Sequence, residues 1–178
     1  MNSVTRRSLG WLGALALGWD VAPARAAVGA KASTFRLRAV PGTKWQGMFD
    51  LSESLKQGPV VLSFFATWCR PCEVELPVLQ QHFTRLSTRG LQIVAVAIDG
   101  PESTAQIAPT VRRLGVEFPV VHDADSRVTS RYNPRRFAPF MVLIDTQGRI
   151  KQEREGWTQA HAAALPAQLE ALLKPAAP

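Results

Sequence analysis

Val60-Val61-Leu62-Ser63-Phe64-Phe65-Ala66-Thr67-Trp68-Cys69-Arg70-Pro71-Cys72 is the stretch whose reading decides the fold. Its first six residues form an apolar, β-rich run behind Gly58-Pro59 and read as a buried strand. Downstream, Glu73-Val74-Glu75-Leu76-Pro77-Val78-Leu79 carries apolar residues at helical spacing, so the cysteines fall where a strand hands over to a helix. They are the only two cysteines in 178 residues, which points to a reactive pair rather than a disulfide framework.

A thiol at a helix N-terminus meets unpaired backbone N–H groups and the positive end of the helix dipole, and both favour thiolate over thiol. Cys69 is therefore predicted to be the acidic, exposed nucleophile, and Cys72, one turn further in, the shielded resolving thiol. Arg70 adds positive charge beside Cys69, while Glu73 and Glu75 act in the opposite sense. Trp68, with Arg70 and Pro71, is expected to shape the surface on which a substrate docks.

Working outward, Phe35 to Arg38 reads as an edge strand followed by a Pro41-Gly42 turn, and Ser52 to Lys56 as a short helical turn. The cysteine helix is expected from about Cys69 to Arg89 with Gly90 as its C-cap and a kink at Pro77. Leu91 to Ile98 is a second strand, Ser103 to Leu114 a helix and Val120-Val121 a short strand. Asp125 to Tyr132 is predicted as a short helix capped by Asp125. Phe140 to Ile144 and Ile150 to Glu155 form a hairpin around Thr146-Gln147-Gly148, and a last helix runs from about Gln159 to Leu173. Parallel strands with crossover helices, an antiparallel edge and a closing helix give an α/β class.

The chain opens with Arg6-Arg7, an apolar stretch from Leu9 to Leu17, and Ala24-Arg25-Ala26, the layout of a signal peptide cleaved after Ala26. Thr5-Arg6-Arg7-Ser8-Leu9 also resembles a twin-arginine export signal. An extracytoplasmic, periplasmic destination follows, with residues 27–178 as one domain. The net charge of +7 drops to +5 without residues 1–26, which hold Arg6, Arg7, Arg25 and Asp20. The basic residues do not interleave with aromatics, which argues against nucleic acid as a partner. Arg112-Arg113 and Arg131 with Arg135-Arg136 suit an acidic protein partner better.

Phe64 to Cys72, then Glu75-Leu76-Pro77, then Ala138-Pro139 before Phe140-Met141-Val142-Leu143-Ile144-Asp145 with Gly148 together resemble the thioredoxin superfamily, and within it the TlpA/ResA/CcmG-like exported thiol-disulfide oxidoreductases. The resemblance covers most of residues 35–173. It implies a thioredoxin-like fold, a central mixed β-sheet flanked by helices, with a TlpA-like insert at about Gly100 to Val121. It implies a redox-active disulfide between Cys69 and Cys72 and no cofactor or metal. Pro139 would be a cis-proline that leaves the Ala138 backbone free to pair with an extended substrate segment. Glu75 would handle protons at the buried thiol, with a solvated helix residue as its plain alternative.

The resemblance further implies a monomer that exchanges electrons with protein disulfides, of the cytochrome c maturation or copper-site assembly type. A membrane thiol donor would supply the electrons. Ser63 departs from the buried acid of simple thioredoxins, and Phe140 stands where the family usually has Thr, which puts a bulky group beside the groove. Three alternatives stay open: an oxidising disulfide donor, a copper metallochaperone with His122 as third ligand, and a peroxidase, for which Cys69 lacks the upstream Thr and Pro.

Overall fold

The computed structural model describes residues 27–174, so the leader at residues 1–26 and the Ala/Pro tail from 175 lie outside the described residues. A five-stranded sheet runs through the middle in the order β5-β4-β3-β6-β7. Its strands are β3 (Val60–Phe65), β4 (Gln92–Ala97), β5 (Val120–His122), β6 (Phe140–Ile144) and β7 (Ile150–Glu155). β3, β4 and β5 are parallel, whereas β6 and β7 pair antiparallel. This is the mixed sheet expected from the sequence.

All six residues of β3 are buried, which is why its sequence is an unbroken apolar run rather than an alternating one. On one face Phe64 packs against Tyr132 and Phe140, with ring centroids 6.0 and 5.9 Å apart. Ser63 points to the opposite face and meets α2 (Arg70–Leu86). α2 buries Cys72, Glu75, Leu76, Leu79, His82 and Leu86, a single stripe at spacings of three and four. The helix continues through Pro77, whose missing N–H leaves Glu73 without its intrahelical donor. A 3₁₀ turn at Ser87–Arg89 and Gly90 in the left-handed region end it, as the Gly90 cap predicted.

The remaining helices are α1 (Leu51–Gln57), α3 (Thr104–Arg113), α4 (Thr129–Tyr132) and α5 (Gln159–Leu173). α3 and β5 occupy the expected insert, and α5 ends where the sequence placed it. β1 (Arg36–Arg38) is the expected edge strand; it pairs with β2 (Met48–Asp50), a strand too short to show a period, and just beyond it Ala39 bridges Val121 of β5. One local expectation needs correction. The segment before α4 is capped by Asp123, not Asp125: its carboxylate accepts from the N–H groups of Val128 and Thr129 and from the Thr129 hydroxyl. α4 is accordingly only four residues long. Among the described residues no helix is long and apolar enough to cross a membrane.

Gly58, between α1 and β3, lies against the turn that closes α2. A Cβ there would sit 1.9 Å from the carbonyl oxygen of Gly90, a backbone atom that cannot swing away. Gly58→Ala is expected to lose more than about 2 kcal/mol in urea unfolding, by forcing these two turns apart. Wild-type stability would show that the turns separate freely.

Candidate active site

Cys69 is the N-cap of α2, and its sulfur accepts the backbone N–H of Cys72 at 3.2 Å. The same N–H reaches the Cys69 carbonyl at 3.1 Å, so the first turn closes around the thiol pair. Pro71 lies in that first turn, where a missing N–H costs nothing. The two sulfurs are joined in a disulfide, with S–S 2.08 Å and Cα–Cα 5.4 Å. Cys69 is the more accessible of the pair, yet only 4% exposed against 1% for Cys72. The expectation of an exposed Cys69 is thus corrected: the sulfur folds back over the helix end instead of projecting from it.

Arg70 is exposed and forms no ion pair among the described residues. Glu73, expected to counter it, is instead bound to Arg113 at 2.5 Å. Trp68 is 64% exposed, and Val74 and Phe137 add 57% and 45% exposed apolar surface. Trp68 is therefore surface, as a docking aromatic requires, and not a core residue. Phe140 is the reverse case. It is buried against Phe64, so it presents no bulky group beside the groove; Phe137, which the sequence did not single out, is the exposed aromatic of this segment.

The loop leading to Cys69 is held from the neighbouring strand. Asp99, just past β4 and 2% exposed, accepts from the Thr67 N–H at 3.0 Å and from the Thr67 hydroxyl. The Asp99 carbonyl in turn lies 2.9 Å from His122 Nε2. His122 is thus engaged two strands from the dithiol and is not brought to it. Among the described residues no group of three or more His, Cys, Asp or Glu side chains is placed to hold a metal ion.

Ala138-Pro139 is a cis peptide at the start of β6. Phe140 pairs with Phe64, so Pro139 reaches the same end of the sheet as the loop carrying Cys69. Asn133, 2% exposed, braces the approach: its amide donates to the Phe137 carbonyl at 2.6 Å and its side-chain oxygen accepts the Phe137 N–H at 2.9 Å. The Ala138 N–H and C=O have no partner among the described residues.

Glu75 is 1% exposed, so it is not a solvated helix residue. It stands one turn beyond Cys72 on the buried stripe of α2, and Ser63 donates to its Oε1 at 2.6 Å. Its Oε2 has no partner. Burial pushes the carboxyl up to about 7; the Ser63 hydrogen bond and the positive charge of Arg154 oppose that rise. A buried carboxyl on the helix thus meets the Ser63 position of the strand, with Ser63 as its hydrogen-bond donor. Asp99, Asn133 and Arg154 escaped the sequence reading: Asp99 and Arg154 act across long sequence separations, and the local brace of Asn133 on Phe137 has no pattern that marks it.

The AhpC/TSA family profile matches residues 28–166. The thiol-disulfide oxidoreductase ResA of Oceanobacillus iheyensis is 32% identical over 129 residues, spanning 72% of this chain and 65% of the relative. ResA of Geobacillus kaustophilus is 33% identical over 126 residues, spanning 71% of this chain and 68% of that protein. The chain therefore spans about two thirds of the length of these two relatives. Among solved structures, a thioredoxin-family thiol:disulfide interchange protein of Chlorobium tepidum superposes with a TM-score of 0.69 at 24% identity, over 83% of this chain and 99% of its own. A secreted Mycobacterium tuberculosis disulfide oxidoreductase homologous to Escherichia coli DsbE gives 0.63 at 25% identity, over 78% and 96%. With a helix-capping disulfide, a cis-proline at the same sheet end and these relatives, the chain belongs to the AhpC/TSA family and groups with its thioredoxin-fold thiol-disulfide oxidoreductases.

Proposed function

We propose that this protein is a periplasmic dithiol reductant of protein disulfides, of the kind that serves cytochrome c maturation or copper-site assembly. The observation that carries the reading is the Cys69–Cys72 pair at the start of α2, at the same sheet end as Ala138, whose backbone groups have no partner among the described residues. An extended substrate segment would pair with Ala138 as an added strand, while Trp68, Arg70, Pro71 and Pro139 frame the disulfide it presents. The exported location is supported by the Arg6-Arg7 leader with its Ala24-Arg25-Ala26 site and by a structural neighbour described as secreted.

In the reducing direction, the Cys69 thiolate attacks one substrate sulfur and breaks the substrate disulfide, forming a mixed disulfide and releasing the other sulfur as a thiolate that takes a proton from water. The Cys72 thiol passes its proton to the Glu75 carboxylate, and the new thiolate attacks the Cys69 sulfur. The second substrate sulfur is expelled as a thiolate that also takes a proton from water, so the substrate leaves with two thiols, carrying two electrons, and the protein is left with its disulfide. A membrane thiol donor then returns two electrons. A carboxyl with pKa near 7 can accept that proton and release it again at neutral pH.

Two outcomes are expected. Cys72→Ser should accumulate mixed disulfides with substrate proteins through Cys69, and Cys69→Ser should trap none; the opposite pattern would reverse the two roles. Glu75→Gln should slow resolution of the mixed disulfide by about 10²-fold at neutral pH. It should also alter stability in a defined direction. Burial raises the folded pKa of Glu75 above the ordinary 4.5, so native Glu75 contributes stability below pH 4.5 that is lost as pH rises through about 7. The loss amounts to an order of 3 kcal/mol, and denaturant titrations should show it in the native protein and not in Glu75→Gln.

A further inference from the structure

Arg154 on β7 is only 8% exposed, an uncommon place for a guanidinium. Its partners are poor ones. Nη2 donates to the thioether sulfur of Met141 at 3.1 Å, Nη1 reaches Gln168 Oε1 on α5 at 3.4 Å, and the group lies 5.1 Å from the Trp157 ring centroid. Nε has no partner. None of these contacts supplies negative charge, and a buried cation is costly without an anion.

The sheet register leads from Arg154 toward a buried carboxyl. Ser63 on β3 stands opposite Met141 on β6, and Met141 stands opposite Arg154 on β7. The three form a row across the sheet beneath α2, and the Ser63 end of the row holds Glu75. Glu75 and Arg154 form no direct ion pair, yet each bears on the other's charge. Around the Glu75 carboxyl, β3 contributes Ser63, β7 contributes Arg154 as the charged group, and α2 itself contributes the neighbouring Cys72.

We propose that Arg154 is a positioning residue for thiol-disulfide exchange: a cation buried behind Met141 that stabilises the ionised Glu75 carboxylate and so keeps it available to take the proton of Cys72. This rests on the proton-handling role proposed for Glu75. Arg154 touches neither sulfur nor substrate; it acts across the interior, where the field of a charge is weakly screened. A purely structural Arg154, packed on Trp157, would stabilise the fold and leave proton transfer untouched.

The test is the pH profile, between about pH 5 and 9, of single-turnover oxidation of the reduced protein by oxidised glutathione, at concentrations where the rate no longer rises with glutathione so that resolution by Cys72 is the step read. Arg154→Gln and Arg154→Met, two neutral side chains of different shape, should each move the midpoint of the rising limb up by about one pH unit. Arg154→Lys, which keeps the charge, should stay at the wild-type midpoint. Glu75→Gln should abolish the limb, and Glu75→Gln with Arg154→Gln should match Glu75→Gln alone. Near-UV circular dichroism identifies which neutral variants are folded. A folded neutral variant with the wild-type midpoint, while Glu75→Gln abolishes the limb, overturns the role of Arg154 and leaves that of Glu75 standing. A limb that persists in Glu75→Gln overturns both.

Discussion

Because Cys69 caps α2 with its own backbone and sulfur, the dithiol is fixed to the end of a 17-residue helix whose buried stripe is locked onto the central sheet. The cap sets everything else. The Cys72 N–H points at the partner sulfur, and the positive end of the helix dipole lies at the same atom. Asp99 holds the loop ahead of the cap and Asn133 the loop that faces it. The reacting sulfurs thus sit on rigid elements while the substrate-facing surface, Trp68 and Phe137, stays open.

The same helix carries the buried carboxyl. An ionised Glu75 in the core is costly, and Ser63 alone satisfies only one of its oxygens. The result is a buried carboxyl whose pKa of about 7 lies close to physiological pH, as the proposed proton transfer requires. Stability is given up for this arrangement: an apolar side chain in the same stripe would cost nothing to bury.

Much of this was legible in the sequence. The unbroken run at Val60 to Phe65, the Cys-x-x-Cys at a strand-to-helix boundary and the Gly90 stop are local signals, and they led to the α/β class, the site and the fold family. β2 was not legible, because Met48–Asp50 is too short to show a period and exists only through its pairing with β1. The burial of Glu75 was latent in the spacing of Cys72, Leu76 and Leu79, since position 75 lies on the same stripe. The departure at Phe140 was seen but misplaced, as the side chain turns inward toward Phe64. The Asp99 brace and the buried Arg154 depend on which strands become neighbours, and one sequence carries no direct signal of that; Asp123 rather than Asp125 as the cap is a local choice between two nearby carboxylates.

A dithiol at a helix end can run as reductant or oxidant, and the choice lies in how far the cap stabilises the reduced form. The exposed Arg70 adds positive charge beside the cap, while Glu73 is paired with Arg113. The reduction potential of the protein against defined glutathione buffers tests the proposed direction most directly. A value near that of thioredoxin, about −270 mV, is the expected result for a reductant recharged by a membrane donor. A value near about −120 mV would make the protein a disulfide donor and contradict that direction.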